Sequence, residues 1–201
     1  MIAIITGDII NSRKVNSAIW LAPLKEYFSK VVKDSKKWEI YRGDSFQLEV
    51  PVTKALEVAI GIKALIKTNS KLNVRMAIGI GVKDFTGRKI TESNGTAFVN
   101  SGEGFDKLKG STLIMKSQSN ECDEFFNPVL RLLSFITDSW KPVTSETVLY
   151  ALRNRHLLQK EIAGKLGKDN TTVSKALKRG AFEEIMEVIN LFSGKIVQWQ
   201  N

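Results

Sequence analysis

The apolar positions change their period repeatedly over the first 120 residues, and each change marks an element. Residues 2–5 (Ile2, Ala3, Ile4, Ile5) form a short apolar run. Thr6-Gly7-Asp8 and the polar turn Asn11-Ser12-Arg13 follow it, so a short strand is predicted. Between residues 17 and 33 the apolar side chains (Ile19, Leu21, Ala22, Leu24, Tyr27, Phe28, Val31, Val32) recur every three or four positions, as in a helix. Residues 38–42 lead through Gly43-Asp44 into Ser45-Phe46-Gln47-Leu48-Glu49-Val50, where apolar and polar residues alternate until Pro51. This predicts a hairpin with Gly-Asp at its tip. Helical spacing returns at 53–67 through Leu56, Ala59, Ile60, Ala64 and Leu65, leaving Lys54, Glu57, Lys63 and Lys67 for a solvent face. Val74, Met76, Ile78, Ile80 and Val82 then alternate with Arg75, Ala77, Gly79 and Gly81, a strand with small residues on one side. A loop over 84–94, a short helix near 96–108 and a strand over 111–116 complete this part.

From Asp123 the pattern is continuously helical, with Phe125, Phe126, Val129, Leu130, Leu132, Leu133, Phe135 and Ile136 crowded before Trp140-Lys141-Pro142. Further helices are predicted near 145–154, 157–166, 170–179 and 181–193. The order βαββαβ is that of ferredoxin-like or palm domains, in which two helices cover one face of an antiparallel sheet. The expected fold is therefore α+β. A ferredoxin-like/palm N-terminal domain (1–121) is followed by a connecting helix (122–142) and an all-α helix-turn-helix domain (143–201).

Of the 201 residues, 43% are hydrophobic and 25% charged, a composition that supports a core and excludes wholesale disorder. No apolar run approaches the ~18 residues of a membrane span, and the N-terminus carries neither a basic leader nor a long apolar region. A cytoplasmic protein without a membrane partner is expected. Cys122 is the only thiol and His156 the only imidazole, which excludes a disulfide framework and a four-ligand Cys/His zinc site. Thirty Lys and Arg against 21 Asp and Glu give a formal charge of +9, pointing to a polyanionic partner. The excess concentrates in residues 145–180, with eight basic and three acidic side chains.

The same stretch contains QKEIAGKLGKDNTTVSKALKRG, starting at Gln159, with Ala163, Gly167 and Val173 at its fifth, ninth and fifteenth positions. The small Ala lets two helices approach, Gly allows the positive φ of a tight turn, and Val173 with Ile162, Leu166 and Leu177 fills the angle between them. Asn170 or Thr171 is the expected cap of the second helix. On this geometry Thr171, Thr172, Ser174 and Lys175 lie at the end that enters the major groove of double-stranded DNA and Lys178 and Arg179 reach phosphates, with Lys168 and Asn170 completing the candidate DNA-binding set. The segment resembles the helix-turn-helix of bacterial transcription regulators, whose pattern runs Gln-x-Glu-Ile-Ala-x-x-Leu-Gly and then Thr-Val-Ser. A homodimer on paired half-sites is the corresponding expectation.

In a palm sheet the first strand lies beside the hairpin of the second and third strands, so Asp8, after the first strand, and Asp44, at the hairpin tip, are expected to converge. Two such carboxylates are candidate ligands of a Mg²⁺ or Mn²⁺ bridging nucleotide phosphates; the other reading is that both only shape turns. Asp8, Asn11, Ser12, Arg13, Arg42 and Asp44 are the candidate nucleotide-binding residues, and Asp8 and Asp44 the candidate metal ligands. The motifs Gly7-Asp8-Ile9-Ile10-Asn11-Ser12-Arg13, Gly43-Asp44 with Phe46-Gln47, Arg75 with Ile78-Gly79-Ile80-Gly81, and Gly95-Thr96-Ala97-Phe98 resemble the SatD family of bacterial transcription regulators and, more distantly, class III nucleotide cyclases. The resemblance implies a cyclase-like domain joined to a DNA-binding one. Active cyclases carry an Asn and an Arg on the helix after their Gly-x-Ala-Val motif; Val99 and Glu103 stand at those places and Asn100 is one residue away. The expected function is a DNA-binding transcriptional regulator whose N-terminal domain senses a nucleotide or metal, or builds the oligomer, without cyclising. The alternative is a metal-dependent nucleotide-handling enzyme using Asp8 and Asp44.

Overall fold

The computed structural model describes residues 1–200. Its first strand, β1 (Ile2–Ile10), runs five residues beyond the predicted end. Thr6-Gly7-Asp8 looks like a strand terminus in the sequence, but β1 is the middle strand, paired with β4 along its whole length and with β3 from Ala3 to Asp8. Gly7 is required there, because a Cβ would come within 2.5 Å of the Phe46 ring.

The chain continues through α1 (Ala18–Val31), the hairpin β2 (Trp38–Tyr41) and β3 (Ser45–Val50), α2 (Ala55–Ile66), β4 (Asn73–Gly81), α3 (Thr96–Asp106) and β5 (Leu113–Lys116). These strands form one mixed sheet in the order β2-β3-β1-β4-β5. The first four are antiparallel, and β5 joins parallel to β4 after the α3 crossover. The protein is α+β.

The two faces of the sheet are covered differently. Ala3, Ile5 and Ile9 of β1 join the main core beneath α1 and α2, whereas Ile4 packs on the opposite side against Ile90 and Ala97. The small residues alternating along β4 admit α3 on that second face. A Cβ at Gly79 would lie 2.2 Å from the Ser101 amide nitrogen, and one at Gly81 2.6 Å from that of Ala97. Backbone cannot yield as a flexible side chain does, so Gly79→Ala is expected to destabilise by about 1–3 kcal/mol through overpacking. Chemical denaturation checks it, and a midpoint equal to wild type would contradict the close approach.

Five helices follow: α4 (Asn120–Asp138), α5 (Pro142–Arg153), α6 (Gln159–Leu166), α7 (Asn170–Arg179) and α8 (Phe182–Ile196). Pro142 occupies the first turn of α5, where its missing N–H and fixed φ cost nothing, so that helix starts earlier than its apolar pattern suggests. In α8, Ile185, Ile189, Phe192 and Ile196 keep one buried stripe to the last residue. Helices α5 and α8 pack on α2, and one apolar cluster runs from the sheet through α2 into α5–α8. The apolar cluster is thus continuous across the expected connecting helix, residues 122–142.

This arrangement corrects the solvent face assigned to α2 at Lys63 and Lys67, which are buried, whereas Lys54 is exposed and Glu57 half-buried. Sandwiched between the sheet and the later helices, α2 buries Ala55, Leu56, Val58, Ala59, Ile60, Ile62, Ala64 and Ile66 around its circumference, and Lys63 is 0% exposed. Lys63 Nζ donates to Asp138 Oδ1 (2.7 Å), Thr112 Oγ1 (2.5 Å) and Val74 O (3.4 Å), while Thr112 Oγ1 donates to Asp138 Oδ2 (2.7 Å). The knot joins α2, the approach to β5 and the end of α4. Among the described residues no helix is long and apolar enough to cross a membrane.

Candidate functional site

Asp8 and Asp44 come to one end of the sheet, because Asp8 is the cross-strand partner of Ser45, the residue after Asp44. The Asp44 carbonyl also accepts the Ile9 N–H at 3.1 Å. The hairpin turn that holds Asp44 uses positive φ at Arg42 (52°) and Gly43 (93°). Asp44 Oδ2 accepts a hydrogen bond from Ser12 Oγ at 2.5 Å. Ser12 is held at that distance by the left-handed Asn11 (φ 65°), whose side chain donates to Lys71 O. Arg13 and Arg42 are exposed beside these turns. The candidate residues are thus gathered around one sheet end.

The partner of Asp8 is Arg75, which the candidate set lacks. Arg75 sits opposite Asp8 on β4, and its Nε and Nη2 donate to the two carboxylate oxygens at 2.8 and 2.7 Å. Its guanidinium lies 5.0 Å from the Phe105 ring centroid of α3. The Asp8 hydrogen bonds hold the Arg75 pKa above its ordinary value. The alternation of β4 held only part of the signal: it sets Arg75 on the same side as Ala77, Gly79 and Gly81, and the cross-strand register then places it opposite Asp8. A shorter polar line runs alongside, with Gln47 Nε2 donating to Thr6 Oγ1 (3.4 Å) and Thr6 Oγ1 to Ser101 Oγ (2.9 Å).

Oxygen donors from Asp8, Asp44 and Ser12 are the right type for Mg²⁺ or Mn²⁺. In this arrangement, however, both Asp8 oxygens are committed to Arg75, and among the described residues no three metal-ligating side chains cluster. The set does not fit a divalent ion without release of Arg75, so no chemical step through a metal follows from it. On α3, Val99 is exposed and Asn100 is buried, donating to Ile80 O at 2.7 Å. Glu103 pairs with Lys116. None of the three offers a cation or free amide to a phosphate at this site.

The second candidate region is α6, the turn Gly167–Asp169 and α7. Gly167 takes the left-handed conformation (φ 62°, ψ 33°), and Ala163, Ile162, Val173, Ala176 and Leu177 are buried between the helices and α5. The cap of α7 is Asp169 rather than Asn170 or Thr171. Its carboxylate accepts from the Thr172 N–H (2.8 Å) and Thr172 Oγ1 (2.5 Å), which holds its pKa below the ordinary range. One residue earlier than expected, this cap engages the Thr172 hydroxyl that was assigned to a groove contact. Lys168 is taken up by an ion pair with Glu146 of α5.

Asn170, Thr171, Ser174, Lys175, Lys178 and Arg179 remain exposed along α7. Arg179 Nε is 3.2 Å from Lys175 O, which turns its guanidinium back along the helix. Ser174 and Lys178 also border a cavity of about 360 Å³ shared with Arg155 and with Glu183 and Glu184 of α8. His156 is exposed between α5 and α6, and Cys122 is buried with its thiol pKa pushed up by burial to about 11. Compared with known proteins, the chain matches no family model and no curated protein.

Proposed function

We propose that the protein is a DNA-binding transcriptional regulator in which α6 and α7 act as a helix-turn-helix and α7 reads duplex DNA. The observation that carries this reading is the outer face of α7, where Thr171, Ser174, Lys175 and Lys178 are exposed on a helix fixed by the left-handed Gly167 and the buried Val173. Short hydroxyls suit base edges and ammonium groups suit phosphates, a combination that a solvated helix surface has no reason to require. The resemblance of the motifs to the SatD family agrees with it. So does the palm reading of residues 1–121, supported by the antiparallel order β2-β3-β1-β4.

In this account the sheet domain holds the reading helices through α2, and its Asp8, Asp44, Ser12 and Arg75 cluster is where a nucleotide effector would act. A phosphate competing with Asp8 for Arg75 would free the carboxylate, so ligand binding and release of the Asp8–Arg75 pair are coupled. The enzymatic reading needs the same carboxylates and a free cation, and the Arg75 clamp disfavours it. The test is fluorescence anisotropy of the full chain with a labelled duplex at several salt concentrations. Affinity should fall linearly on a log–log plot as counterions are released. No binding to any duplex at low ionic strength would overturn the proposal.

A further inference from the structure

Helix α4 carries more apolar residues than its one buried face can use. Cys122, Phe126, Leu130, Leu133 and Thr137 point into the core. Another flank leaves Phe125 45%, Leu132 66% and Phe135 80% exposed, with Pro128 exposed between them. Successive spacings of three, four and three residues place these four side chains along one stripe, with Val129 and Ile136 half-buried at its inner border. The charged residues Glu124, Arg131 and Asp138 line the outer border of the stripe, beyond Phe135, and Glu121 and Ser139 stand at its ends.

We infer that this stripe is the contact between two copies of the chain, which pair their α4 helices antiparallel about a two-fold axis near residue 130. The order of the residues is self-complementary about that point. Phe125 and Phe135 stand five positions to either side and Pro128 and Leu132 two, so each Phe125 meets the partner copy's position 135 and each Pro128 its position 132. A two-fold contact needs such a patch, because the same surface serves both subunits. At both ends of the pair, the acidic first turn of α4, with Glu121 and Glu124, falls beside the stretch of the other copy that leads to the exposed Lys141.

The area suits this occupant. Phe125, Leu132 and Phe135 expose on the order of 400 Å² of apolar surface per chain. Complete burial of these side chains in two copies covers roughly 800 Å², and the polar ends bring the contact to the ~1,000 Å² floor of a biological interface, the size class of a weak dimer. The stripe is separate from α7 and from the sheet-end cluster, so this inference stands independently of the DNA-binding reading.

The test combines sedimentation equilibrium with cysteine cross-linking on the full chain. The wild type should be a dimer, and Leu132→Asp with Phe135→Asp should weaken association by at least about tenfold. Both positions are exposed, so circular dichroism should report an unchanged fold. Oxidation of a chain carrying both Phe125→Cys and Phe135→Cys should give a covalent dimer. Either cysteine alone should not, because like positions lie ~15 Å apart along the axis of an antiparallel pair. The buried Cys122 of the wild type serves as the control. A wild type that is monomeric at every accessible concentration, a dimer that survives the aspartate pair, or cross-links formed by the single variants would each overturn the inference.

Discussion

Replacing Asp138 by Ala is expected to cost about 3–5 kcal/mol of folding stability, the scale for removing one partner from a buried ion pair. Lys63 is fully buried, and among the described residues Asp138 supplies the only carboxylate bonded to its ammonium. Without it, the three donor protons keep only Thr112 and the Val74 carbonyl, and the charge is left uncompensated. Lys63→Met should cost much less, because the remaining Asp138 is partly exposed and keeps Thr112 and water. Urea unfolding of the two variants separates the cases. Equal losses would mean that the knot acts by shape rather than charge.

The same pair predicts a pH dependence. Burial depresses the Lys63 pKa to about 8 from its ordinary 10.5, with Asp138 opposing the shift. Between those values the unfolded chain holds more protons at this site than the folded one, so the stability contribution of Lys63 rises as pH climbs through that window. Below about 8 the cost of the buried charge is fully present. Lys63→Met should flatten the rise, measured as the difference between the two proteins at neutral and alkaline pH.

Reversing two charges on α7, Lys175→Glu with Lys178→Glu, should lower duplex affinity by about two orders of magnitude and reduce the salt slope by about two contacts' worth. Both side chains are exposed on the outer face of α7, whereas Lys168 is already engaged by Glu146. The pair Lys107→Glu with Lys109→Glu changes net charge by the same amount on an exposed stretch after α3 and should leave affinity near wild type. If both pairs weaken binding equally, the protein binds through overall charge and not through α7.

Much of the fold was legible because local periodicity and turn chemistry agree. The hairpin at Gly43-Asp44, the left-handed Gly167 and the buried Val173 all follow from neighbours within a few residues. What escaped the sequence is set by distant partners. Lys63 looks like a solvent-facing lysine until Asp138, 75 residues later, is folded against it. Thr6-Gly7-Asp8 looks like the end of a strand until β3 and β4 flank it. The convergence of Asp8 and Asp44 could be foreseen from the topology, but the capture of Asp8 by Arg75 depends on cross-strand register, which no local pattern specifies. Crowding along α4 was visible as a row of large apolar residues, yet which of them stay outside depends on where α8 and the sheet lie.

Selection of bound sequences from a random duplex pool tests the central claim most directly. The account predicts that the wild type enriches a defined sequence, and that Thr171→Ala with Ser174→Ala loses the enrichment while keeping salt-dependent binding, since the proposal assigns those hydroxyls to bases and the lysines to phosphates. A wild-type pool that stays random after repeated rounds, or an identical enriched sequence from the double variant, would contradict α7 as the reading helix.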